Sequence, residues 1–538
     1  MIRALTVRAR VEVGSEDPSG RLFDKLTDAV VRSGPFARAR FATAWSDTDG
    51  LKALADGKRR ALAPSLAAEL RDYHLRLGAS PATMAALERL VSGEAVCAVA
   101  GQQPAPLGGP LYALHKIAAT AGLAARVVAR TRRPCVPLHW THVEDSDFAE
   151  IRTVTVGDAH LTLHDLTLPS TAHVEGGLVG AIPIEPVAAL GSAALVRWEG
   201  LPGHSDVERL WRQSMAGARD LGELQSALML GLFGDCGLVV VDPRLPSFRA
   251  AARAIIDRYL DRADELSALA RRAGAAVEPT LGRRPLADVA LDSFVFRIED
   301  GVRHKISAPE ARRLPAGCVL SASVALRPMI QDGVFPTVAM ACGPGELAYL
   351  AQLREVFDAL DVRPACPVPR FGATWLPPAA MTLLEASESE PWELIAASDG
   401  VLRRLAEQHV PSEVRAALDR ARTEAMDSLQ RFAGLSARVD PSLPQLVESA
   451  RGKVEYQFTR MLEGLTGKAR NRLEREHPDW VRLRYYLSPG DRLQERRLAS
   501  LEPIAYRGRE TPAELCELAQ EHAAALEEGQ CRHYVVEL

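Results

Sequence analysis

Between Ala95 and Asp242 the chain alternates short, continuously apolar runs with segments of helical spacing. AVCAVA starts at Ala95, a helix is predicted over Leu111 to Ala129, CVPLHW starts at Cys135, and GLVVVD starts at Gly237 ahead of a helix from about Ser247 to Ala273. Strands without polar alternation need apolar cover on both faces, so this rhythm predicts an α/β fold with a Rossmann-like parallel sheet. Residues 152–205 break the rhythm: TVTVGDAHLTLHDL alternates apolar with polar and predicts a β-rich insertion, a lid or substrate-facing element. Strand signals return in FVFRI and VFPTVAMAC, ending in GPGELAYLAQL, a Gly-Pro-Gly turn that opens a helix. The arginine-interrupted start, MIRALTVRARVEV, reads as an amphipathic strand, and the terminal HYVVEL as a strand returning to the core.

Past Pro378 the pattern turns helical and charged. Apolar residues at Val414, Leu418, Ala421, Ala425, Leu429 and Phe432 are spaced by threes and fours. A second series, Val447, Ala450, Val454, Phe458, Met461 and Leu465, follows a break at Asp440-Pro441 and Pro444. Two such stripes predict an antiparallel coiled-coil hairpin, whose outer apolar residues call for intrachain packing or a second copy of the chain. The resulting division is a core in two parts, 1–151 and 206–378, with the insertion 152–205, a helical arm 379–479 and a C-terminal segment 480–538 that rejoins the core.

At 538 residues and a net charge of -4, the chain is long enough for several domains and has no broad electrostatic drive toward nucleic acid or an anionic membrane. The longest apolar run, near Leu228 to Val241, is interrupted by Asp235 and is too short to span a bilayer. The eight cysteines are scattered singly, with no zinc spacing, as expected of reduced thiols in a soluble cytoplasmic protein.

The candidate chemistry is concentrated at residues 101–151. GQQPAPLGGPLYALHK sits in a strand, loop, helix context, where Gly101, Gly108 and Gly109 would let an anion approach backbone N–H groups. The loop matches neither GxGxxG nor the P-loop pattern, so an anion site and a plain tight turn stand about equal. His115 and Lys116 follow in the helix, and HWTHVEDSDF gathers His139, His142, Glu144, Asp145 and Asp147 just past a strand. Those side chains suit a general base, a site for a substrate ammonium or a divalent ion, although the spacing fits no strong metal signature. A capped turn, with Asp145 or Ser146 starting a short helix near Asp147, is the structural alternative. Further on, Arg327, Glu346, Tyr349 and Arg370 stand at junctions of apolar segments, beside Gly343 and Gly345, as ligand groups or as buried ion pairs.

Taken in order, GQQ…GGPLY…K at 101–116, the W…ED.DF block at 140–148, GLVVVDP at 237–243, RP…Q….FPT at 327–337, GPGE.AY.AQL at 343–353, VPR at 368–370 and LQER at 493–496 resemble the cysteine ligase family of bacillithiol synthesis, BshC. The resemblance implies a Rossmann-type core, a coiled-coil arm supporting a homodimer, and a nucleotide site, for ATP or ADP, associated with that arm. It also implies a reaction that adds cysteine to glucosaminyl-malate. Amide formation needs an activated carboxyl, so Lys116, helix N–H groups and a magnesium ion on Glu144 or Asp147 would stabilise charge, and Asp145 would accept the amine proton. Arg327 and Arg370 are expected at the malate, with Gln102, Gln103, Tyr112, His115, Trp140, Glu346 and Tyr349 as further substrate contacts. One block departs from the family pattern: Val143 and Ser146 stand where the family has glycine and histidine. The histidine is then dispensable, or is replaced by His142, or the substrate differs; another amine acceptor and a non-catalytic nucleotide-binding assembly protein are the competing functions.

Overall fold

The computed structural model describes residues 5–12, 25–315, 317–386, 395, 406–476 and 478–538. In chain order the strands are β1 (Val7–Glu12), β2 (Val96–Gln102), β3 (Cys135–Thr141), β4 (Thr153–Gly157), β5 (Leu163–Thr167), β6 (Val239–Val241), β7 (Val295–Glu299), β8 (Val302–Lys305), β9 (Val319–Ala322), β10 (Thr337–Cys342), β11 (Cys366–Pro369), β12 (Gly372–Leu376) and β13 (Arg532–Glu537).

The apolar runs near 96, 135, 239, 337 and 366 form one parallel sheet of order β11-β10-β2-β3-β6. Every residue of β10 is buried, as are the first six of β2, which is why these strands carry no polar alternation. From β2 the chain builds outward through β3 to β6, and later fills the opposite flank with β10 and β11. The order therefore reverses between β2 and β10, and a crevice opens at the carboxyl ends of those two strands.

The Leu111–Thr131 helix covers the sheet and is crossed by the Thr511–Glu527 helix. Their backbones come so close that a side chain at Gly122 would begin 2.6 Å from the Ala519 carbonyl carbon. The helix expected from Ser247 to Ala273 is two, Pro246–Asp261 and Ala263–Leu281, broken at Arg262.

Two expectations need correction. HYVVEL does not rejoin the parallel sheet: β13 lies between β1 and β12 in a separate sheet, antiparallel to β1 and parallel to β12. The reason is local, since β11 ends at Pro369 and β12 starts at Gly372, so Arg370 and Phe371 carry the chain from one sheet to the other. The insertion at 152–205 is β-rich only at its start, where β4 and β5 form a hairpin whose β4 edge bonds to Arg497 and Ala499; Ile184–Arg197 is helical, as its alanine and leucine content favours.

The chain divides into two compact units, Met1–Ala379 with Arg492–Leu538, and Ala380–Asp491. The second unit runs past the expected boundary at 479, because the Pro478–Leu487 helix packs on the Leu443–Glu476 helix. Within it, the Ser412–Ser436 and Leu443–Glu476 helices pair antiparallel, with Arg422 against Glu455 and Arg451 on Gln430. Leu418, Leu429, Val454 and Phe458 are half-buried, whereas Phe432 (58% exposed) and Met461 (47%) point outward. Pro444 does not break the pattern but lies in the first turn of the second helix, where no N–H is required of it. No helix among the described residues is long and apolar enough to cross a membrane.

His74 ties the Pro64–Arg76 helix to the core sheet. Its Nε2 accepts the Val240 N–H at 3.0 Å, so the ring proton is on Nδ1, which donates to the Leu70 carbonyl at 2.7 Å. Burial holds its pKa down to about 4, against the Leu70 bond that raises it. In the unfolded chain the same group titrates near 6.5, so its contribution is complete above about pH 6.5 and is lost as pH falls through about 4. That difference is worth about 3 kcal/mol. Thermal melts between pH 8 and 4 are expected to show a stability loss setting in below pH 6.5, with a shallower slope in His74→Gln; equal slopes would remove His74 from the account.

Candidate active site

The crevice at the sheet's reversal is a cleft of about 390 Å³. It gathers Gly101, Gln102 and Gln103 from the end of β2, Tyr112 and Lys116 from the following helix, and His142, Asp145 and Glu150 from the segment after β3. Arg327, Gly343, Gly345, Glu346, Tyr349, Arg370 and Arg496 complete its walls. Residues from blocks hundreds of positions apart thus meet at the carboxyl ends of parallel strands, where open α/β sheets bind small ligands.

Lys116 is buried, yet fully engaged on one side: Nζ donates to the Gly101 carbonyl at 2.6 Å and pairs with Glu346 at 2.7 Å. Glu346 in turn accepts the Gly343 N–H at 2.8 Å, at the start of the Pro344–Gln352 helix. An ammonium has three protons, so these two contacts leave Lys116 one donor for the cleft.

Gly101 makes room for an imidazole. A side chain there would begin 2.1 Å from Nε2 of His142. Arg327 donates to Nδ1 of His142 at 2.9 Å, and arginine has no acceptor, so the neutral ring carries its proton on Nε2. Burial, followed by the Arg327 charge, keeps the ring well below the ordinary histidine range. His142 is therefore a hydrogen-bond donor in this cleft and not a base.

The two acids after β3 differ. Asp145 accepts the N–H groups of Ser146 (2.8 Å) and Asp147 (3.3 Å) and lies 3.8 Å from Arg327. Burial raises its pKa, but Arg327, Arg303 and the two N–H groups outweigh burial and hold it below the usual carboxylate range. Glu150, at the cleft rim in the Phe148–Ile151 helix, is shifted up, by burial first and against a hydrogen bond with Gln103, with Asp147 and Asp145 adding to the rise. Of the two, Glu150 is the more basic.

Arg370 is fixed from behind. Glu495 takes its guanidinium in a two-pronged pair, at 2.7 and 3.0 Å, and also accepts Nδ1–H of His115 at 3.0 Å. The other nitrogen of His115 accepts the Trp375 indole N–H at 3.0 Å, which fixes the neutral tautomer. The Arg370 guanidinium lies 5.7 Å from the Tyr112 ring centre, and Tyr112 receives a hydrogen bond from Gln102 at 3.1 Å. Arg496, from the same LQER block, is exposed at the cleft wall and has no carboxylate partner among the described residues.

Several expected site residues lie elsewhere. His115 is wholly buried and is linked to the cleft through Glu495, which in turn holds Arg370. Gly108 and Gly109 do have positive φ (81° and 80°), but their turn is covered: Gly109 accepts the Ser500 N–H, Leu111 donates to Leu498, and a side chain at Gly108 would meet Met229 and Ser500. Asp147, not Asp145 or Ser146, caps the short helix by accepting the Glu150 N–H at 3.1 Å. Glu144 pairs with Arg249 at 2.8 Å, and Trp140 turns to the other face of the sheet, edge-on to Phe248. Glu144 is thus taken up by an ion pair and Asp147 by a helix cap, so the two acids do not converge on a shared magnesium position. Val143 packs against Gly180 and Gly222 and stays out of the cleft, so the imidazole in the cleft is that of His142.

A second, smaller cavity of about 40 Å³ adjoins the cleft and shares His142, Asp145 and Arg327 with it. Trp140, Phe248, Ala252, Ile256 and Ile330 make its back wall apolar.

Residues 24–315 and 310–371 match the family model of the bacillithiol biosynthesis BshC N-terminal Rossmann-like domain, and residues 373–527 match that of the BshC C-terminal coiled-coil domain. Relatives carrying the name "Putative cysteine ligase BshC" include one from Solibacter usitatus, 29% identical over 80% of this chain and 83% of its own length. Another, from Geobacillus kaustophilus, is 29% identical over the same shares, and one from Koribacter versatilis is 28% identical over 82% and 85%. The parallel sheet with its cleft and the antiparallel helical hairpin coincide with the two halves of that match, and the chain belongs to the bacillithiol biosynthesis BshC family.

Proposed function

We propose that the chain is a ligase that joins the carboxyl carbon of cysteine to the amine of glucosaminyl-malate. The observation that carries this reading is the convergence of Lys116, Glu150, Arg370 and Arg496 on one cleft at the sheet's reversal. The malate carboxylates would pair with Arg370, already oriented by Glu495, and with Arg496; Arg327 borders the adjoining small cavity as well as the cleft and is not assigned to them. Gln102, Gln103 and Tyr112 would meet the sugar hydroxyls.

The attacking nitrogen must lose a proton as the amide bond forms. Glu150 would take it, because Asp145 is held ionised by its cationic neighbours and is correspondingly the weaker base. The free N–H of Lys116 and the Nε2–H of His142 would stabilise the negative charge that develops on the carbonyl oxygen. ATP, as the proposed co-substrate, would supply the leaving group that makes the cysteine carboxyl reactive. Gly345, in the first turn of the Pro344–Gln352 helix, suits a phosphate, since a side chain there would meet nothing within 4 Å, whereas the Gly343 N–H is already taken by Glu346.

The same reading includes a homodimer formed through the helical unit, supported by the outward Phe432 and Met461 and the exposed Leu435 and Tyr456. Incubation of the pure chain with ATP, cysteine and glucosaminyl-malate is expected to yield the cysteinyl amide by mass spectrometry, from a species of twice the chain mass by light scattering. Product with a different amine and none with glucosaminyl-malate would transfer the ligase reading to that acceptor. No product with any amine would leave the assembly-protein reading.

A further inference from the structure

The small cavity beside the cleft has an amphiphilic shape that the proposed ligation leaves unused. Its mouth carries the Asp145 carboxylate and the Arg327 guanidinium, which also face the cleft, and its back is apolar. Its lining carries Arg249 and Arg327 against Glu144 and Asp145, with Arg303 outside the lining but near enough to act on both carboxylates. Glu144 is neutralised by Arg249, Asp145 lies within reach of Arg327, and Arg303 forms no ion pair among the described residues; its guanidinium stacks over Phe296 and donates to the Ala322 carbonyl at 2.7 Å. The lining charges therefore balance, Glu144 being taken by Arg249, and Asp145 and Arg327, 3.8 Å apart, present one charge of each sign at the mouth. This is the charge arrangement of a site for a zwitterion, one end anionic and the other an ammonium.

Size selects among zwitterions. A volume of about 40 Å³ equals about three water-sized spheres, enough for the two heavy atoms of a CH2–SH group and too little for a branched or aromatic side chain. An apolar back wall also disfavours a hydroxyl, which would lose its hydrogen bonds there.

We infer that this cavity is the side-chain pocket for the amino-acid substrate: it takes a small apolar α-amino acid, with the ammonium on Asp145, the carboxylate toward Arg327, and the CH2–SH between Trp140, Ala252 and Ile256. The inference rests on the ligase reading only in identifying that amino acid as cysteine. The carboxyl carbon is thereby held at the boundary of the two cavities, facing the cleft where the amine would arrive.

Calorimetric titration of the full chain tests it. The unaltered protein is expected to bind L-cysteine and L-2-aminobutyrate, whose side chains have the same number of heavy atoms, and to bind L-leucine at least tenfold more weakly, since discrimination by one methylene is typically about 10- to 200-fold. Ala252→Leu fills the pocket and is expected to weaken L-cysteine binding at least tenfold while leaving glucosaminyl-malate binding unchanged. Ile256→Ala enlarges it and is expected to admit L-methionine. Equal binding of cysteine and leucine by the unaltered protein, or unaltered cysteine affinity in folded Ala252→Leu, overturns the pocket. Selective amino-acid binding without amide product would sink ligation and leave the pocket standing; amide product with an unchanged cysteine KM in Ala252→Leu would do the reverse.

Discussion

Glu495→Ala is expected to destabilise the protein by about 3–5 kcal/mol, the cost of stripping one partner from a buried ion pair. Glu495 is 3% exposed and is the sole carboxylate in hydrogen-bond contact with both Arg370 and His115 among the described residues. Burial by itself would raise its pKa, yet Arg370 and His115 hold it well below the usual range, so the pair is charged in the folded chain. Without that carboxylate a buried guanidinium keeps, among the described residues, the Phe371 carbonyl at 2.7 Å as its hydrogen-bond acceptor, and loses its orientation toward the cleft. Urea denaturation reads the first effect. The second is read by Glu495→Gln, which keeps one acceptor and the shape: it is expected to raise the KM for glucosaminyl-malate far more than that for cysteine. A midpoint within the error of the unaltered protein, together with equal KM changes, would detach Arg370 from the acceptor site.

Lys116→Met is expected to lower kcat by about 10²- to 10³-fold, the usual effect of removing one donor aimed at a developing oxyanion. The fold is expected to survive, since Glu346 keeps its hydrogen bond from Gly343 and the methionine stem fills the same buried channel. Lys116→Arg is not expected to rescue activity: with Nζ only 2.6 Å from the Gly101 carbonyl and 2.7 Å from Glu346, a planar fork cannot replace a compact ammonium. Single-turnover rates at saturating substrate would decide it. A kcat within threefold of normal in Lys116→Met would make Lys116 a structural bridge between β2 and the Pro344–Gln352 helix.

Much of this site can be read along the chain because chemistry clusters where strands end. Lys116, Asp145, Glu346 and Arg370 follow strand-like runs and all face one cleft. Glu150 and Arg496 are harder to see: one lies beyond the acidic loop in a four-residue helix, the other at the end of LQER, where a charged residue reads as ordinary surface. Gly108 and Gly109 mislead in the opposite sense. Their conformational freedom is real, but it serves a turn covered by residues 498–500, and nothing within a dozen residues of the glycines announces that cover.

By itself the sequence determined the kinds of element and their order: continuous apolar runs demand a doubly covered parallel sheet, and paired stripes at three-four spacing demand a helical hairpin. Strand polarity also dictated that functional side chains fall at carboxyl ends. Only the tertiary structure decided which charges meet, because ion pairing between Arg370 and Glu495 spans 125 positions and depends on which sheet each strand joins. The same holds for role. Glu150 is the more basic acid and Asp145 the less because burial and neighbouring guanidinium groups set proton affinity, and those neighbours are assembled by packing, not by adjacency in the chain.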